Sequence, residues 1–168
     1  MSDFRVAVRR TNEWDGPSML KIYTPYVEKT HYTPDAEVPT LAEYVQRIDT
    51  YTYGRMWILT EINNQTAGFC FLTDRDIPKD DLFSADAQLY VSEKCLHSGV
   101  GTSLYSLMLD IMHYANYRRV TAHINLPNDA AVAFHKKMGF HEVSETDGVL
   151  LMERAIAVSY THLTLPTN

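Results

Sequence analysis

The stretch VSEKCLHSGVGTSLYSLMLDIMHYA, residues 91–115, contains Gly99-Val100-Gly101-Thr102 and runs directly into a helical pattern. A helix start carries unpaired N–H groups and the positive end of a macrodipole, so it attracts anions. Glycine lets such a backbone approach a ligand with no side chain in the way. The elements on either side decide which fold presents this turn.

Upstream, residues 4–10 alternate as a first strand. Asp15-Gly16-Pro17 opens a helix whose apolar face runs Met19, Leu20, Tyr23, Tyr26 and Val27. Residues 30–38, THYTPDAEV, hold a proline and no period and read as a loop. Thr40-x-x-Glu43 is a capping-box signature, followed at helical spacing by Leu41, Tyr44, Val45 and Ile48. Residues 56–61 and 66–73 are apolar runs split by Asn63-Asn64-Gln65, an antiparallel hairpin. Residues 86–92 form a strand with Asp86, Gln88 and Tyr90 on one face.

Downstream, a helix over 102–117 is expected to bury Leu104, Leu107, Met108, Ile111 and Ala115. A strand over 120–125 follows. Asn128 caps a short helix, 130–138, that stops at Gly139, and strands 140–145 and 149–156 hinge at Asp147-Gly148. This order predicts one α+β domain over residues 1–157, a mixed, mostly antiparallel sheet of six or seven strands with four helices.

Composition narrows the function. The chain has 168 residues, enough for one real core, and its 45% apolar and 21% charged residues fit a globular protein without a membrane span. A net charge of -6 with no Lys/Arg run argues against nucleic acid as a partner. Cys70 and Cys95 are too few for a disulfide framework, and the start MSDFR has no signal core, so a cytoplasmic location is expected. The last segment, VSYTHLTLPTN (158–168), is abruptly rich in threonine and resembles the translation of a transposase adapter used in DNA library preparation. It is read as a non-native tail, and its His162 is left out of the functional argument.

Two nucleotide readings of the turn fail. A dinucleotide fingerprint needs a third glycine where Leu104 stands, within a first βαβ unit. A phosphate loop of the NTPase type needs Gly-Lys-Ser/Thr, which is absent. No Gly-x-Ser-x-Gly elbow, Cys–His pair or His/Cys/carboxylate cluster occurs, and His123 and His141 do not make a metal spacing with His135, so no metal is expected.

Strand, x-x-Gly-x-Gly, amphipathic helix, strand, and then Asn128-x-Ala130-x-x-x-x-His135-x-x-x-Gly139-Phe140 resembles the GNAT N-acetyltransferase superfamily. Residues 22–48, IYTPYVEKTHYTPDAEVPTLAEYVQRI, further resemble its phosphinothricin acetyltransferase-like branch, whose members acetylate small amino acids and their analogues. The resemblance names the anion as the pyrophosphate of acetyl-CoA. It implies that the amides of His97, Ser98, Gly99, Val100, Gly101 and Thr102 cradle it, with the Ser98 and Thr102 hydroxyls as further donors. Leu96 stands where the family usually has Arg or Gln, which removes one phosphate contact and leaves Lys94 or His97 to meet it.

The same resemblance assigns the chemistry. His135 takes the place of the acid that protonates the departing thiolate, and Asp86 that of a carboxylate base for the amine, directly or through water. Backbone N–H groups of the strand at Leu89, Tyr90 or Val91 polarise the thioester carbonyl where the strand splays. Asn128 contacts CoA as well as capping its helix. Tyr26, His31 and Tyr32 border the acceptor pocket, while Tyr105 and His113 are expected to be partly exposed or dimer-facing. The implied activity is direct acetyl transfer to the primary amine of a small amino-acid-like substrate by a homodimer. Two other readings stay open on the residues: a protein or peptide amine as acceptor, and a CoA-binding module without turnover.

Overall fold

Asn63 and Asn64 both take left-handed φ, 51° and 64°, and close the two-residue turn of the hairpin β2 (Trp57–Ile62) and β3 (Gln65–Thr73). Around this hairpin the computed structural model, which describes residues 5–157, places β1 (Val6–Arg10), β4 (Ser84–Val91), β5 (Arg119–Asn125), β6 (His141–Thr146) and β7 (Val149–Ala155). Seven strands form one sheet in the order β1-β2-β3-β4-β5-β7-β6. All neighbours are antiparallel except β4 and β5. The start of the expected first strand at Phe4 and the segment 158–168 lie outside the described residues.

Period-two alternation gives each sheet face its own core. Helices α1 (Gly16–Lys29) and α2 (Leu41–Gly54) cover one face, where Met19, Tyr23, Tyr44 and Ile48 meet Trp57, Leu59, Phe69, Phe71 and Tyr90. Rings stack there, with Trp57 and Phe71 centroids 4.1 Å apart. Helices α3 (Val100–Tyr114) and α4 (Asp129–Lys137) cover the other face, over Ile58, Cys70, Leu72, Ala85, Ala87, Val120 and Ile124. The predicted capping box at α2 is present: Glu43 N donates to Thr40 Oγ1 at 3.2 Å, and Thr40 N to Glu43 Oε2 at 3.3 Å.

Four expectations need correction. On α1, Ile22 is buried, while Leu20 and Tyr26 are only partly so. On α3 the buried stripe is Val100, Leu104, Tyr105, Met108, Leu109 and Met112, with Ile111 exposed. The stripe follows the line through Met108 and Met112, and Ile111 sits about 100° round the helix from Met112. Tyr105, expected at the surface, is therefore inside. The helix also stops at Tyr114, because Asn116 adopts a left-handed φ of 65° and Tyr117 N turns back to Met112 O at 2.9 Å.

Candidate active site

β4 and β5 pair only at Ser84↔Arg119, Ala85↔Val120 and Asp86↔Thr121, and then diverge. Beyond Asp86 the β5-facing backbone of β4 is left without ladder partners from β5. Ser92 N donates to Ala67 O on the β3 side (2.8 Å), and antiparallel residues alternate in direction. The N–H groups of Leu89 and Val91 consequently face the gap, while that of Tyr90 faces β3. The Val91 carbonyl in the gap accepts from Tyr26 Oη at 2.6 Å.

This splay opens a cleft of about 270 Å³ through the sheet. Of the residues expected at the site, Leu89, Tyr90, Val91, Asn128, His135, Tyr26 and Tyr32 line it together. Leu96, Tyr105, Gln88, His123, Asn125 and Phe134 line it too. His31 does not: its Nε2–H donates to Pro127 O (2.8 Å), and Asn125 Nδ2 donates to His31 O (2.8 Å), tying the loop after α1 to the β5–α4 loop. The Asn128 side chain accepts from Ala131 N at 3.2 Å, the predicted cap.

The turn after Leu96 joins the cleft to α3. His97 and Gly99 take φ of 62° and 87°, and no side chain caps the helix start. The first N–H groups of α3 thus have no intrahelical acceptor, and a Cβ on Gly99 would meet nothing within 4 Å, so the backbone faces open space there. Gly101 has a different task, since a Cβ there would lie 3.3 Å from Leu89 Cδ2 and near Phe134. It sets how closely α3 sits on β4. The Ser98 hydroxyl, expected to face phosphate, donates to Cys95 O and closes the preceding turn. The geometry fits a pyrophosphate held by main-chain donors.

On the α3 side of the cleft, His135 Nε2 lies 2.9 Å from Tyr105 Oη and His135 Nδ1 lies 2.8 Å from Ala131 O. A carbonyl only accepts, so Nδ1 carries the proton and Tyr105 donates to Nε2. Burial pushes the His135 imidazole below its ordinary pKa, against the opposing pull of the Ala131 carbonyl and Asp86.

On the α1/α2 side stands Asp86, the expected base. It is 0% exposed and does not line the cleft. Its Oδ1 accepts from Thr121 Oγ1 at 2.8 Å and meets His123 Nδ1 at 2.7 Å, while Oδ2 is buried without a partner. His123 presents its other nitrogen toward Asp76 Oδ2, 2.9 Å away on the β3–β4 loop. No sequence motif marks His123. The available signal was its spacing of two from Thr121 on a strand expected to lie beside Asp86.

A second cavity, of about 300 Å³, lies on the α1/α2 side of the sheet. Its lining includes the aromatic side chains of Tyr23, Tyr44, Trp57 and Phe71, together with Asp35, Arg47, Asp74 and Arg75. Arg47 binds Asp35 through two bonds of 2.7 and 2.9 Å. Gln88 lines both this cavity and the cleft. Among the described residues no group of three or more His, Cys, Asp or Glu could hold a metal, and no helix is long and apolar enough to cross a membrane.

The fold is thus a mixed sheet splayed at its one described parallel pair, with a glycine turn that leads into a helix and offers main-chain donors to an anion. Residues 17–140 match the model of the acetyltransferase (GNAT) family, and the chain belongs to this family of acetyl-CoA-dependent N-acetyltransferases. It is 24% identical over 135 residues to a phosphinothricin N-acetyltransferase of Streptomyces viridochromogenes, covering 80% of this chain and 74% of that one. It is 26% identical over 135 residues to the peptidyl-lysine N-acetyltransferase YjaB of Escherichia coli, covering 80% and 82%. Among solved structures, yncA of Salmonella typhimurium with its cofactor acetyl-CoA superposes with TM-score 0.83 at 16% identity, covering 92% of this chain and 96% of that one. A phosphinothricin acetyltransferase of Sinorhizobium meliloti in complex with acetyl-CoA gives 0.83 at 19% identity, covering 97% and 94%. These two likenesses establish the fold.

Proposed function

We propose that the chain transfers the acetyl group of acetyl-CoA to the primary amine of a small amino-acid-like acceptor. The observation that carries this choice is Gln88, which lines the splayed cleft and also the aromatic cavity beside it. An acceptor seated in that cavity reaches the cleft through the sheet, from the face opposite the glycine turn. About 300 Å³ suits a ligand of amino-acid size. Its rim supports the same reading: Arg75 is half-buried and makes no ion pair among the described residues, so its guanidinium can receive a carboxylate. The curated relatives point two ways, one toward phosphinothricin and one toward peptidyl-lysine, at similar identity. The cavity supports the small acceptor.

In this reading the amides at the start of α3 hold the pyrophosphate, and the N–H groups of Leu89 and Val91 face the thioester carbonyl. An ammonium acceptor sheds two protons on becoming an amide. The leaving thiolate takes one and the other is left to solvent. Tyr105 gives its Oη proton to the thiolate and takes one back from solvent, while His135 stays neutral with Nε2 facing the hydroxyl, so both groups end the cycle as they began. The same reading takes the protein as a homodimer, with β6, exposed along its whole length at the edge of the sheet, as an open edge.

Thiol release from acetyl-CoA tests the proposal, with phosphinothricin and the free L-amino acids set against lysine-containing peptides. Release with at least one free amino acid or phosphinothricin, and none with peptides, is expected. Release with peptides alone overturns the small-acceptor reading, and binding of acetyl-CoA without release by any amine overturns transfer.

A further inference from the structure

We propose that His123, oriented by Asp86 and held in reserve by Asp76, is the group that takes the proton from the acceptor amine. The inference rests on the acetyl-transfer reading above and changes the base within it. Asp86, where the resemblance placed that role, is fully buried on that face with Oδ1 committed to Thr121 and His123. His123 lies between it and the cleft, and of the two only His123 lines the cleft. It also lies on the same sheet face as Gln88, the face from which the acceptor enters, whereas the Tyr105–His135 pair lies on the opposite face. Proton removal from the amine and proton delivery to the thiolate are thereby assigned to opposite sides of one opening.

The geometry sets the protonation. Asp86 faces Nδ1, so that nitrogen keeps its proton, and Nε2 is the atom that changes state. The charged groups facing the imidazole are Asp86 on β4 and Asp76 and Arg75 on the β3–β4 loop. Glu153 on β7, the register partner of Thr121, is engaged with Arg119. Asp86 acts first to raise the proton affinity of His123, burial and Arg75 oppose it, and Asp76 adds to it. Asp76 is exposed at the loop surface, so it can release Nε2 when an ammonium group arrives. Nε2 first gives its proton to solvent; one N–H bond of the ammonium then breaks and one N–H bond forms at Nε2, giving a neutral amine beside an imidazolium. Nε2 later returns the proton to solvent.

The test combines two readouts on the full chain. The first is the pH dependence of kcat/KM for thiol release, with phosphinothricin and free L-amino acids as probes. The second is the NMR titration of the His123 ring nitrogens. The unaltered protein should show an acid limb with a midpoint above the ordinary histidine value of about 6.5, coincident with protonation of Nε2. His123→Gln should lower kcat by about 10²–10⁴-fold and abolish that limb. Asp76→Asn should move both the limb and the ring titration to lower pH. A His123→Gln enzyme with the unaltered pH profile overturns the inference while leaving acetyl transfer intact. Absence of release by the unaltered protein overturns the transfer reading itself. Should His123→Gln fail to fold, Asp76→Asn decides: a limb that stays in place while the ring titration moves overturns the assignment.

Discussion

Tyr105 Oη donates to His135 Nε2 across 2.9 Å, joining the middle of α3 to α4 inside the second core. Both side chains are buried, at 1% and 8% exposure, so the bond is shielded from water. Tyr105→Phe leaves Nε2 without its donor, an orphaned acceptor costing about 2 kcal/mol. For a chain of this size that lowers Tm by about 6 °C. A thermal melt followed by circular dichroism checks it, and an unchanged Tm refutes the bond. The same variant should slow thiol release, because the proton path to the thiolate loses its hydroxyl.

The two glycines of the turn should fail differently. Gly99→Ala forces a Cβ onto a φ of 87°, which costs about 1–2 kcal/mol although nothing crowds it. Gly101→Ala meets only the far end of Leu89, which can move by a few tenths of an ångström. Calorimetric titration with acetyl-CoA should show the larger loss of affinity for Gly99→Ala. The reverse order would show that the spacing between α3 and β4 matters more than the shape of the turn.

Asp35 gives the fold an acid limit. The Arg47 guanidinium holds its carboxyl below the ordinary value of 3.8, burial opposes this, and the Tyr23 hydroxyl adds to it. With the folded pKa depressed, the unfolded chain binds more protons between the two values, so stability rises with pH there. The contribution is complete above about pH 4 and is lost as pH falls through the folded value. Urea unfolding from pH 7 down to pH 3 should show this decline, and Asp35→Asn should be less stable at pH 7 with a flatter profile. A variant profile parallel to that of the unaltered protein would count against the pair.

Leu96 is 49% exposed and lines the cleft next to the glycine turn. Leu96→Arg places a cation beside the expected pyrophosphate at little structural cost. A charge-assisted contact at an exposed site is worth about 1 kcal/mol, close to a fivefold gain in acetyl-CoA affinity. That gain should shrink as salt is raised. Unchanged affinity at low salt would place the phosphates elsewhere.

Much of the fold is legible in short-range pattern. The capping box at Thr40 and Glu43, the Asn63-Asn64 turn and the Asn128 cap each join residues no more than four positions apart. Residue type and spacing are enough to specify such bonds, because the backbone between the partners has few conformations to choose from. The alternation that puts Asp86, Gln88 and Tyr90 on one face is also local, since a strand has a period of two. The buried stripe of α3 was less legible. Ile111 and Tyr105 are both apolar enough for either side, and only packing on the sheet selects the Met108–Met112 line.

By itself, then, the sequence determined the elements, their order, the glycine turn and the family. The tertiary structure alone decided which side chains meet. Tyr105 and His135 are 30 positions apart, Asp86 and His123 are 37, and Tyr26 and Val91 are 65. No spacing rule reaches that far. These pairs exist because cores on both faces hold β4 beside β5 for three residue pairs and then let them part. That parting seals Asp86 inside, brings His123 to the opening and separates the two ends of the proton traffic by the thickness of one sheet.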